Sequence, residues 1–114
     1  MKTTLDHNSK DKHHHRHITD DGMFDGTDKS YNIGDKVLVR EWQPKDIGMI
    51  KNYYDLVFII ITAEKEYTRA ITDFDEDDEI ITCMALNSAY EPFTLNINDI
   101  TELYFVIKLI DKKR

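Results

Sequence analysis

Several side chains in this 114-residue chain are of types that do chemistry. A serine hydroxyl is a weak nucleophile and needs a base, and a desolvated lysine can be that base because burial lowers its pKa. Ser30 follows Lys29 directly. Adjacent residues in an extended segment point to opposite sides, so Ser30 reads as a turn hydroxyl ahead of a strand. Ser88 lies in a turn signal and reads as a local cap, and Ser9 belongs to the His-rich N-terminal stretch. The one cysteine, Cys83, excludes an internal disulfide and sits in an apolar run, where a buried inert thiol is expected. All five histidines fall between positions 7 and 17, so any Ser/His or Cys/His pair would have to borrow one from there.

Two clusters invite a metal. "HHHRH" with His7 offers imidazoles that suit zinc, copper or nickel, but Arg16 interrupts the run and no fixed acid or thiol completes a set. "DFDEDDE", residues 73–79, places six acids in seven positions. It lacks the central glycine and spaced ligands of a calcium loop and reads as a solvated hairpin loop, able at most to meet a basic partner. The expectation is no metal and no cofactor.

The elements that position these residues are short. "KVLVRE" alternates after the turn "NIGD" and predicts a strand. "EWQPKDIGMIKNYY" holds Pro44 and Gly48 and reads as a loop or one helical turn. "DLVFIIIT", residues 55–62, is a continuous β-branched and aromatic run, as in a strand buried on both faces. "AEKE" turns the chain into a return strand "YTRAIT", and "IITCMAL" follows the acidic run as another strand. "NSAYEPF" is a turn region, and "NINDI" a one-turn helix with Asn98 or Asp99 as cap. "ELYFVIKLI", residues 102–110, is the final strand. Tyr53, Tyr54, Phe58, Tyr67, Tyr90, Phe93, Tyr104 and Phe105 read mostly as core. Trp42 reads as a half-exposed interface anchor or a loop-to-core plug. The class is all-β, a small folded-over sheet or partly open barrel.

Hydrophobic residues make up 40 % of the chain, but residues 1–17 hold only Met1 and Leu5 as aliphatic or Met side chains. They read as a flexible tail, leaving residues 18–114 as the domain. The net charge is −7; the tail contributes +2, so the body carries −9, which disfavours direct nucleic-acid binding. No apolar run reaches the roughly 18 residues of a membrane span, and there is no signal-peptide core, so a cytoplasmic protein is expected.

The order of "DDGM", "SYNIGDKVLVRE", the hairpin ending "YTRAI", "ALNSAYEPFTL" and "NDITELYFVIKLI" resembles the C-terminal domain of LexA-like and phage-type repressors, in the LexA/signal-peptidase superfamily. The resemblance covers about residues 18–110 and is nearest to the form in phage-like repressors of Bacteroidetes. It implies a Ser–Lys peptidase fold, with the serine ahead of the methionine of "GM" and the lysine on the strand after the hairpin. In this chain those positions hold Gly22 and Arg69. Glycine has no side chain, and arginine stays protonated, so neither half of the dyad can act. The small-residue–glycine dipeptide at which self-cleaving members are cut does not occur ahead of Gly22.

The resemblance further implies assembly through the C-terminal strand, here Leu103, Tyr104, Phe105, Val106, Ile107 and Leu109, provided that strand lies at an edge. A homodimer is the expected assembly, with a related repressor as another partner and a role in transcription regulation. The competing readings are an active or recently inactivated self-cleaving peptidase, and an unrelated acidic β-barrel. The last is distinguished by topology: the resemblance requires a hairpin that turns Arg69 toward Gly22.

Overall fold

The computed structural model describes residues 13–54 and 56–113. Seven strands lie among the described residues: β1 (His13–His17), β2 (Lys36–Trp42), β3 (Val57–Thr62), β4 (Glu66–Asp75), β5 (Ile80–Met84), β6 (Phe93–Asn96) and β7 (Ile100–Asp111). They form one antiparallel sheet in the order β1-β2-β7-β3-β4-β5-β6, and it does not close into a barrel. The all-β class is therefore as expected, built as one open sheet. No helix of the described residues is long and apolar enough to cross a membrane.

β3 explains the layering. Its run of apolar residues fills both faces, with Phe58, Ile59 and Ile60 all fully buried. Successive side chains alternate across a strand. Phe58 and Ile60 join Ile71, Ile81, Cys83 and Leu103 in one cluster, capped by Ile47, Ile97 and Ile100. Ile59 joins Val37, Val39, Tyr104 and Val106 in a second cluster on the other face, covered by Ile18. Full burial of each such aliphatic side chain contributes about 1.5–3 kcal/mol.

Several expectations shift. Strand β1 lies inside the segment read as a tail, so order begins before residue 18. Its alternation accounts for this: His14 packs edge-on against Tyr104 at 5.1 Å, and Arg16 lies over the same ring at 4.6 Å and bonds Glu66 at 3.2 Å. Residues 1–12, with His7 and Ser9, and Asp55 of the expected strand 55–62 lie outside the described residues. The segment after Trp42 is a ten-residue 3₁₀ helix, Pro44–Tyr53, with proline in its first turn. The second 3₁₀ turn, Ile97–Asp99, is capped by Asn96, whose side chain accepts from the Asn98 amide at 2.8 Å. Neither expected cap performs that role. β6 begins at Phe93, the last residue of the expected turn region, and runs to Asn96, and β4 extends into the acidic run as far as Asp75.

The largest difference concerns the last strand. β7 is interior, paired with β2 on one side and β3 on the other. Leu103, Tyr104 and Val106 are buried in the chain's own core. They are unavailable to a partner, as is most of half-buried Phe105, which packs on Tyr53 and Phe58. Leu109 leans on the second cluster, and only Ile107, 39 % exposed, faces outward. Trp42 proves to be a plug: it packs on Tyr53 at 4.8 Å, and its indole donates to the Asp46 carbonyl at 3.4 Å.

Candidate functional site

The segment from Ile18 to Asp21 has no regular secondary structure, with Ile18 and Asp20 buried and Thr19 exposed. Ile18 anchors it by donating to the Asp35 carbonyl and accepting from the Gly34 amide, both at 2.8 Å. A turn follows, closed by the Phe24 amide on the Asp21 carbonyl at 3.1 Å. The segment passes beside β4 and is held from the far side by Asn87. The Asn87 amide donates to the Gly22 carbonyl at 2.9 Å, and its side chain donates to the Asp21 carbonyl at 3.1 Å.

β3 and β4 form the expected hairpin, with Phe58 opposite Arg69 and Ile59 opposite Thr68. Arg69 is 2 % exposed. Its Nη1 donates to Asp20 Oδ2 in a very short contact and to the Thr68 carbonyl at 2.8 Å. Asp20 Oδ2 also accepts from the Gly22 and Thr68 amides, each at 3.1 Å. One carboxylate thus ties the Gly22 turn, the β4 backbone and the guanidinium together. The Tyr90, Tyr67 and Phe93 rings surround the guanidinium at 4.7, 5.5 and 5.7 Å, and aromatic faces attract such a cation. Tyr90 is held in place by donating to Asp21 Oδ1 at 2.6 Å.

A side chain at position 22 has no room. A Cβ on Gly22 would stand 1.7 Å from Arg69 Nη1 and 2.8 Å from the Thr68 carbonyl. Gly22 does not have a positive φ, unlike Gly26 and Gly34. Glycine is required here for space, which the guanidinium occupies. The two sequence-derived positions, Gly22 and Arg69, are therefore in direct contact.

Chemically the arrangement is a buried, fixed ion pair. A guanidinium cannot take a proton from a nucleophile, and position 22 offers none. The aromatic cover leaves Arg69 2 % exposed, and neither a cleft of about 290 Å³ beside Thr62, Tyr67, Leu95 and Asp99 nor one of about 220 Å³ beside Trp42, Met49 and Tyr53 is lined by Gly22 or Arg69. At this site two buried polar atoms, Arg69 Nε and Thr68 Oγ1, have no hydrogen-bond partner among the described residues.

The other candidates resolve individually. Ser30 Oγ donates to the Thr27 carbonyl at 2.7 Å and accepts from the Asp25 amide at 3.2 Å, as a turn hydroxyl does. Ser88 is exposed, and the cap of its loop is Asn87, which accepts from the Ala89 amide at 2.9 Å. Burial pushes the Cys83 thiol up to about 12, against the opposing pull of the Arg69 charge. No group of three or more metal-ligating side chains is gathered for an ion among the described residues. Sequence reasoning missed Asp20 and placed Tyr90 in the core, whereas Tyr90 is 36 % exposed and covers the Arg69 guanidinium from outside. For Asp20 the signal is its place between Ile18 and Gly22 in a period of two, which puts an acid on the buried side of an extended segment.

Comparison with protein-family models, with curated proteins and with solved structures finds no match to this chain.

Proposed function

We propose that the chain is a catalytically inactive relative of the LexA-like, phage-repressor-type peptidase domain, working by self-association or protein–protein interaction in transcription regulation, in the cytoplasm. One observation carries this reading. The two positions that the sequence resemblance assigns to the serine and the lysine lie in contact, on the expected turn and hairpin, and hold a glycine and an arginine. An unrelated barrel would have no reason to bring these two positions together. The Arg69–Asp20 pair then uses the former base position to fasten the Gly22 turn to β4. A homodimer is the simplest assembly, with a related repressor as the alternative partner.

Two experiments test the two halves. Light scattering on a size-exclusion column, over a wide concentration range, should find assemblies of at least twice 13.5 kDa; a strict monomer at high concentration removes self-association. Gly22→Ser with Arg69→Lys restores both dyad residues. Cleavage of linker peptides from related repressors by this variant would support the shared ancestry and show that only the two side chains were lost. Inactivity of the folded variant would count against a retained peptidase cleft.

A further inference from the structure

Strand pairing gathers three basic side chains and three histidines of the described residues on one sheet face. Antiparallel partners point to the same side of a sheet. His13 pairs with Arg40, His15 with Leu38, and His17 with Lys36, while Leu38 pairs onward with Lys108. The three histidines, Arg40 and Lys108 are exposed, and Lys36 and Leu38 are half-buried. The opposite side chains of the same strands, His14, Arg16, Val37 and Val39, turn to the second core cluster. Asp111, opposite Lys36, is the one acid in these rows. None of Lys36, Arg40 and Lys108 has an ion-pair partner among the described residues. Two bulges in β7 leave Ile107 and Ile110 as extra residues beside the face, 39 % and 40 % exposed.

The β4–β5 hairpin carries the opposite charge. Asp73, Asp75, Glu76, Asp77, Asp78 and Glu79 are all exposed. Only Glu76 has a basic partner among the described residues, Lys51 at 3.5 Å. β7 and β3 lie between β2 and β4, so the two patches of one chain sit on separate parts of the sheet.

We infer that the β1–β2–β7 face docks the acidic β4–β5 hairpin of a second copy of this chain. The inference rests on the self-association proposed above and names its surface. Charge complementarity selects the occupant: the face needs an anionic partner, and every copy carries an exposed, largely unpaired anionic loop. The contact joins two different surfaces, so it closes reciprocally into a pair or continues head to tail.

The test is a charge swap followed by light scattering. One variant carries Lys36→Glu, Arg40→Glu and Lys108→Glu; the other carries Asp73→Lys, Asp75→Lys and Asp77→Lys. Wild type should assemble, with its dissociation constant rising about tenfold or more between 50 and 500 mM salt, as contacts between exposed charges do. Each variant alone should be monomeric, and an equimolar mixture should form a complex. Wild-type assembly that ignores salt overturns the inference, and so does assembly of the lysine-reversed variant as strong as wild type. In both cases self-association survives through another surface. A wild-type monomer overturns the inference and removes self-association from the reading above, leaving only a different partner chain, and so does the outcome in which the monomer's face instead retains a fluorescent oligo(dT). The salt series on wild type decides the matter even where a triple variant does not fold.

Discussion

Two buried carboxylates hold the ends of the segment between β1 and β2, and they do so differently. Asp20 accepts from two backbone amides and from Arg69, under a cover of aromatic rings. Asp35 accepts from the Asn32 and Lys113 amides and from Lys112 Nζ, all at 2.8 Å. The donors on Asp35 come from the adjoining turn and the chain's last described residues, and Lys112 keeps 11 % of its side chain in contact with solvent. Arg69 keeps 3 %. Asp35 is a fully matched fastening. The Asp20 site holds a side chain with more donors than the site uses, since Arg69 Nε has no partner among the described residues.

The contrast can be broken most forcefully at Asp20. Asp20→Ala leaves an uncompensated buried guanidinium and should cost about 3–5 kcal/mol in urea unfolding. Adding Arg69→Met should recover most of the loss, because an apolar replacement of a buried pair is often neutral. Strictly additive costs in that double-mutant cycle would mean the pair is not coupled. Asp35→Ala should cost less, about 2–3 kcal/mol, because Lys112 can swing into water. Equal losses at the two sites would erase the distinction. Gly22→Ser comes next, at about 1–3 kcal/mol from overpacking against Arg69 and the Thr68 carbonyl. Arg69→Lys should relieve part of it, and a Gly22→Ser protein as stable as wild type would show that the guanidinium moves aside freely.

Acid sharpens the comparison further. Burial alone would raise the Asp35 carboxyl, but the bonds from Asn32, Lys112 and Lys113 outweigh it and hold the group below its ordinary value. A depressed folded pKa contributes stability that is complete above the unfolded value, near 4, and is lost as pH falls through the folded value. Wild type should therefore lose stability on acidification below about pH 4, and Asp35→Asn should lose less over the same window. Identical slopes would assign the acid sensitivity elsewhere. The smallest effect is expected at Cys83, where a disulfide reagent should label the native protein negligibly and the urea-unfolded protein fully. Rapid native labelling would mean that the strands around Arg69 open readily.

The sequence made the hairpin legible because it rests on local patterns, a β-branched run and a polar turn, whereas the Gly22–Arg69 contact was an expectation of the family resemblance alone. It concealed β1, since His14 and Arg16 acquire a buried side only from Tyr104, ninety and eighty-eight positions away. It concealed the role of Asp20, whose partners lie 48 and 49 residues on. Apolar residues on both faces of the last strand were legible as well, but they fit an edge that pairs with another molecule as well as an interior strand. Only the register of β2 and β3 separates the two.

That register also bears on how the molecule folds. β3 to β6 form a meander whose neighbours in sequence are neighbours in the sheet. β7 instead joins Trp42 to Leu103 and Lys36 to Asp111. The β2–β7–β3 seam closes the longest loops in the sheet, and loop closure must precede the contacts that reward it. The meander should therefore acquire amide protection first, and insertion of β7 should set the folding rate. Until that step, β2 and β3 each present an open edge, and this interval is when the chain is most exposed to aggregation.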